Sequence, residues 1–94
     1  MKAEIPETVL VCLIDERKNY KVDAELPSQM PGSELKTGLL RLLKKNEERL
    51  YLNSDSLIIR YNGSVLGDQE TLASVGAWDG SELYLDSSYR PWFY

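Results

Sequence analysis

Ninety-four residues, 43% of them hydrophobic and 28% charged, make one ordinary soluble globular domain with a single modest core. Histidine is absent, which removes the commonest general base and the commonest metal ligand together. A lone Cys12 supplies neither an internal disulfide nor the clustered thiolates of a structural zinc site. The formal charge of −4 is the reverse of a nucleic-acid binder's basic balance. Composition therefore favours a protein-interaction module over an enzyme, with no cofactor, no metal and no nucleic-acid partner expected.

The first seven residues read as a short extension without the apolar core and small-residue cleavage site of a signal peptide. No stretch approaches the roughly 20 apolar residues of a membrane span, so the expected location is a reducing cytoplasm. Thr8–Asp15 is dense in aliphatic and β-branched residues and reads as a strand. Both of its faces are apolar; Leu10, Cys12 and Ile14 are assigned to the core, and Val9, Val11 and Leu13 to the open face. Glu16–Asn19 is the turn. Tyr20–Leu26 then alternates cleanly, with Tyr20, Val22, Ala24 and Leu26 on one side.

Pro27, Pro31 and Gly32 hand over to a helix with Ser33 as its expected N-cap, and Leu35, Leu39, Leu42 and Leu43 on one stripe. Gly38, beside that stripe, costs about 1 kcal/mol relative to Ala and is read as a point of close helix–sheet approach. Residues 46–55 carry no clear pattern. Ser56–Asn62 is a third strand, with Leu57, Ile59 and Tyr61 on one face and Ile58 and Arg60 on the other. Asn62-Gly63 is a tight-turn signal. Val65 and Leu66 continue as a brief fourth strand, Thr71, Leu72 and Val75 suggest one helical turn, and Ser81–Asp86 alternates as a last strand with Leu83 and Leu85 inward.

Strand, strand, helix, strand, short strand, strand is the order of a β-grasp: an α+β fold whose mixed sheet of four to five strands packs on one helix. The stretch from Tyr61 to Leu72 resembles the ubiquitin segment Phe-Ala-Gly-Lys-Gln-Leu-Glu-Asp-Gly-Arg-Thr-Leu, and the likeness continues through Leu83 and Leu85. Among ubiquitin-like proteins the chain is most similar to the bacterial YukD/EsaB family of type VII (WXG100) secretion, through Val22-Asp23-Ala24-Glu25-Leu26, Pro31, and Asp79-Gly80-Ser81-Glu82-Leu83. The resemblance implies a cytoplasmic accessory or regulatory component of that apparatus, with partners among its proteins. It spans a domain over residues 8–86, leaving residues 87–94 as an aromatic tail.

The same resemblance withholds ubiquitin's chemistry. Its terminal Gly-Gly falls on Pro91 and Trp92, and a fixed φ and the bulkiest side chain do not thread into activating enzymes. Two lysines used in ubiquitin chain building correspond to Ser64 and Asp79. The central isoleucine of ubiquitin's recognition patch corresponds to Arg60, and its apolar partner on the last strand to Asp86. A generic ubiquitin-like adaptor outside secretion stays open as an alternative. A trimmed modifier or sulfur carrier is disfavoured, because cleavage at the last glycine, Gly80, would remove Leu83 and Leu85 from the core.

Cys12, on the strand face assigned to the core, reads as a small buried hydrophobe rather than a nucleophile. Glu47-Glu48 is a solvated helix end, and Gly63–Gly67 lacks the lysine and context of a phosphate loop. The candidate protein-binding residues are Val9, Val11, Leu13, Ile58, Arg60 and Tyr84 on the open sheet face. To these the tail adds Tyr89, Trp92, Phe93 and Tyr94. Leaving large aromatics in water forgoes roughly 1.5–3 kcal/mol each. The tail is therefore expected to fold back on the sheet or dock on a partner or second copy, with a loose tail as the third alternative.

Overall fold

A computed structural model describes residues 5–89, and of Ser88 and Tyr89 the backbone alone. The elements are β1 (Thr8–Asp15), β2 (Tyr20–Pro27), α1 (Gly32–Asn46), α2 (Glu48–Tyr51), β3 (Ser54–Tyr61), β4 (Ser64–Val65) and β5 (Glu82–Tyr89). The strands form one five-stranded sheet in the order β2-β1-β5-β3-β4, with β1 and β5 parallel and the other pairs antiparallel. One sheet face packs on α1, which is the β-grasp arrangement expected from the order of elements. β5 runs three residues past Asp86, with Ser87 opposite Leu57 and Tyr89 opposite Ser54. Trp92, Phe93 and Tyr94, and the Tyr89 side chain, lie outside the described residues.

The facing of β1 is the reverse of the sequence expectation. Val9, Val11 and Leu13 are each 1% exposed and form the centre of the core, while Leu10 is 52% exposed and Cys12 and Ile14 are half-buried on the outer face. The cause is the hairpin register. Asp15 pairs with Tyr20 across the four-residue turn, so Val9, Val11 and Leu13 stand beside Leu26, Ala24 and Val22, the apolar side of β2. A strand that is apolar on both faces has no facing of its own, and its neighbour decides.

Leu35, Leu39 and Leu43 of α1 complete the core with Leu57, Ile59, Leu72, Ala77, Leu83 and Leu85. Leu42 leaves the expected stripe and is 49% exposed. Ser33 is not the N-cap. Pro31 holds that position without a side-chain cap, and the helix's first amides find backbone acceptors instead: Gly32 N–H donates to the Glu70 carbonyl at 2.7 Å and Ser33 N–H to that of Asp68 at 3.1 Å. A returning loop thus takes the place of a capping side chain, satisfying donors that the helix itself cannot.

The close approach expected at Gly38 lies at Gly32. A Cβ at Gly38 would meet nothing within 4 Å, whereas one at Gly32 would collide with the Gly67 carbonyl oxygen. β4 is displaced by one residue, leaving Val65 exposed and Leu66 turned into the core with its N–H donating to the Ile59 carbonyl at 2.8 Å. The Asn62-Gly63 turn forms as expected, with φ of 54° and 83°.

The unpatterned stretch holds α2, whose Tyr51 is fully buried. Its hydroxyl donates to Asp15 Oδ2 at 2.8 Å, and Asp15 Oδ1 accepts the Lys18 N–H at 3.3 Å. The Tyr20 ring meets the Tyr51 ring edge-on at 6.0 Å, and the Lys18 ammonium lies 5.1 Å from the centre of the Tyr51 ring. Burial first, then the Asp15 bond, pushes the Tyr51 phenol far above its ordinary value of 10.

Tyr51→Phe deprives the buried Asp15 carboxylate of its side-chain donor and is expected to lower stability by about 1–3 kcal/mol, read from urea unfolding at neutral pH. A phenol whose pKa is raised on folding stabilises below its unfolded value and loses that contribution as pH rises above it. The wild type therefore weakens above pH 10, and the Tyr51→Phe variant weakens less. In the same unfolding assay Gly38→Ala, free of neighbours, gains about 1 kcal/mol, while Gly32→Ala loses stability because backbone must move.

Candidate functional site

The outer face of the sheet is built by strand alternation. With Val9, Val11 and Leu13 turned inward by the register, β1 contributes Leu10, Cys12 and Ile14, β3 contributes Ile58 and Arg60, and β5 contributes Glu82, Tyr84 and Asp86. One cross-strand row runs through all five strands, Lys21–Ile14–Tyr84–Arg60–Val65, because each is the register partner of the next. Tyr84 is its centre at 37% exposure, with Ile58 at 38% and Val65 at 54%. A sheet face turned to water is normally polar, so an apolar band with charged flanks makes this surface the candidate contact site.

Of the six sheet residues expected here, Ile58, Arg60 and Tyr84 are present and brought together. Val9, Val11 and Leu13 are replaced by Leu10, Cys12 and Ile14. Cys12 is correspondingly not in the core; its register neighbours are Asp23 and Glu82, both acidic, the opposite of the electropositive setting of a nucleophilic thiolate.

Electrostatics order the band. Asp86 receives Arg60 at 3.5 Å and Arg17 at 4.0 Å. The Tyr84 hydroxyl donates to Glu82 Oε1 at 3.4 Å, and the neighbouring Glu82 carboxylate pushes the phenol above its ordinary value. Shallow depressions flank the ring. One is lined by Glu16, Arg17, Arg60 and Asp86, the other by Asn62, Gly63, Gly80 and Ser81. The loop before β5 is fastened to β1, with Leu10 N–H donating to Asp79 Oδ1 at 2.8 Å and Gly80 N–H to the Leu10 carbonyl at 2.9 Å. Next to it Trp78, which has no signal in the sequence because it falls between turn residues, is 43% exposed.

Among the described residues no cluster of acidic, cysteine or histidine side chains is arranged to hold a metal, and no helix is long and apolar enough to cross a membrane. The face presents an exposed tyrosine, aliphatic neighbours and an ion-pair rim.

A family model for protein YukD of the WXG100 protein secretion system (Wss) matches residues 8–85. The chain belongs to the YukD family. No curated protein sequence matches it. Among solved structures, the ubiquitin-like domain of EccD5 from Mycobacterium xenopi superposes with a TM-score of 0.72 at 17% identity, covering 92% of this chain and 100% of that one. The ubiquitin-like domain of the type VII secretion protein EccD1 from Mycobacterium tuberculosis gives 0.64 at 23%, covering 83% and 96%. A chain of the MycP5-free ESX-5 inner membrane complex gives 0.72 at 17%, covering 95% of this chain and only 23% of that one.

At these identities the superpositions show the ubiquitin-like β-grasp fold, and the family model carries the association with type VII secretion. Within that fold, the two positions of this YukD-family chain that correspond to ubiquitin's apolar patch, Arg60 and Asp86, form an ion pair.

Proposed function

We propose that this YukD-family protein is a non-catalytic, non-conjugating interaction module, acting in the cytoplasm as an accessory or regulatory component of a type VII secretion system. The observation that carries the reading is the five-strand row on the open sheet face, with Tyr84 between Ile14 and Arg60. Interfaces concentrate their energy in Tyr, Trp and Arg anchors, and this row places a Tyr beside an Arg within an aliphatic surround. The similar fold within an ESX-5 inner membrane complex supports a partner in the secretion machinery. The absence of histidine and the polar replacement of the ubiquitin patch support a role distinct from catalysis and from binding ubiquitin receptors.

The docking residues in this reading are Leu10, Ile14, Ile58, Arg60 and Tyr84, with tail residues Tyr89, Trp92, Phe93 and Tyr94 as further contacts. Co-purification of tagged protein with the secretion system's membrane components tests it. Tyr84→Ala and Leu10→Asp, both on exposed positions, are expected to cut recovery about tenfold or more while unfolding midpoints stay near wild type. Unchanged recovery in both variants overturns the reading. Val11→Asp is unsuited to the test, since Val11 is in the core and the variant would unfold.

A further inference from the structure

At the end of the sheet away from β4, the outer edge of β2 is regular and unused. β2 pairs with β1 in one unbroken register from Thr8↔Pro27 to Asp15↔Tyr20, and no strand lies beyond it among the described residues. Ser28 N–H donates to the Glu7 carbonyl at 2.9 Å, the next step of the same ladder. Hydrogen-bonded and non-hydrogen-bonded pairs alternate along an antiparallel ladder, so Leu26, Ala24, Val22 and Tyr20 turn their backbone groups to β1. Lys21, Asp23 and Glu25 turn theirs outward. The far side of β1 agrees with that parity, since the Leu10 and Cys12 amides bond Asp79 Oδ1 and the Ser81 carbonyl before β5.

The side chains of this edge are as free as its backbone. Lys21, Asp23 and Glu25 are exposed and make no ion pair or side-chain hydrogen bond among the described residues. On the inner side Val22, opposite the buried Leu13, is 36% exposed. The edge thus combines outward backbone groups, unpaired charges of both signs and an uncovered valine.

We propose that two copies of the chain pair through this edge, β2 against β2 antiparallel, about a two-fold axis at Val22. Charge selects that register. Only the outward residues can exchange backbone bonds, which leaves few positions for the axis between Lys21 and Glu25. With the axis at Lys21, Asp23 or Glu25, a charged residue meets its own copy. At Ala24, Asp23 faces the second copy's Glu25 twice, and Lys21 faces Pro27, which has no N–H. At Val22, each Lys21 faces the second copy's Asp23, and the two valines cover one another on the inner side. Charged side chains ordinarily deter edge pairing, and this sequence of signs leaves one two-fold register open.

Such an isologous contact joins two five-stranded sheets into one, with both α1 helices on one side and both Tyr84 faces on the other. That consequence rests on the reading of Tyr84 as a docking residue, and on it the dimer is a bivalent platform that gains by avidity. The pairing itself does not depend on that reading.

A short edge contact belongs to the small, weak class of interface, so the test is sedimentation equilibrium of the full chain up to about 1 mM. Reversible monomer–dimer association is expected. Asp23→Lys, which sets a cation against Lys21 in both pairs, is expected to raise the dissociation constant about tenfold or more. Exchanging the charges, Lys21→Asp with Asp23→Lys, is expected to return it to within about threefold of wild type. Both positions are exposed, and urea midpoints near wild type check that the variants fold. Amide hydrogen exchange at high against low protein concentration is expected to protect Lys21 and Asp23 and leave Val22, already bonded to β1, unchanged. A monomer throughout, a dimer indifferent to Asp23→Lys, or one that the exchange does not restore overturns the proposal. So does a dimer weakened by Tyr84→Ala or Leu10→Asp, which would place the contact on the outer sheet face. A monomer whose recovery of secretion components still depends on Tyr84 overturns the pairing alone, and a dimer whose recovery ignores Tyr84 overturns the docking reading alone.

Discussion

The hydrogen bond from Tyr51 to Asp15 joins residues 36 positions apart, and both are sealed from water. A buried carboxyl needs partners, and these come from two places: the Tyr51 hydroxyl on α2 and the Lys18 amide in the β1–β2 turn. Slipping β1 by one residue would carry Asp15 to the outer face and strand the Tyr51 hydroxyl in the core. The corner formed by Asp15, Tyr20, Lys18 and Tyr51 therefore ties the hairpin to the end of the helical layer and holds β1 with Val9, Val11 and Leu13 inward. The outer surface follows, because a central strand that commits one face to α1 must offer the other to solvent.

What it offers is unusual for a solvent face. Leu10, Cys12 and Ile14 are apolar, and β5 and β3 extend them with Tyr84 and Ile58. The ion pairs set among them contribute little stability, since Arg17, Arg60 and Asp86 are well exposed and such pairs are worth about 0–1 kcal/mol. In the proposed interface their effect would be on recognition. A wholly apolar partner surface would bury Arg60 and Asp86 at a cost in hydration, so a partner docking there would have to answer both the tyrosine and the charges.

Much of this fold is legible in the residues. Clean alternation in β2, β3 and β5 places Leu26, Leu57, Ile59, Leu83 and Leu85 inward, and Asn62-Gly63 marks its turn. The facing of β1 is legible too, although by a relation between strands. The four-residue turn Glu16–Asn19 opposes Asp15 to Tyr20, which sets the odd residues of β1 beside the even, apolar residues of β2. Hydrophobicity within β1 alone points equally both ways. Tyr51 stays hidden because a single helical turn in a charged stretch has no period to detect, and its importance rests on a partner far away in sequence. Gly38 draws the eye ahead of Gly32 for the same reason: only the returning Gly67–Glu70 loop makes the helix start crowded.

The two edges of the sheet are treated differently, and the difference bears on what can approach them. β2 presents Lys21, Asp23 and Glu25 in mixed sign on its outer face and ends at Pro27, which has no N–H to lend, a common guard against unwanted pairing. The first half of β3 is guarded differently, by an irregularity in its ladder with β5 between Ser54 and Leu57. Arg41 and Lys44 of α1 line a groove beside the same stretch, with Asp55, Ser56 and Leu57 opposite. Two copies meeting edge to edge there by a two-fold axis would bring those cations toward one another, and like charges in a closing interface oppose association.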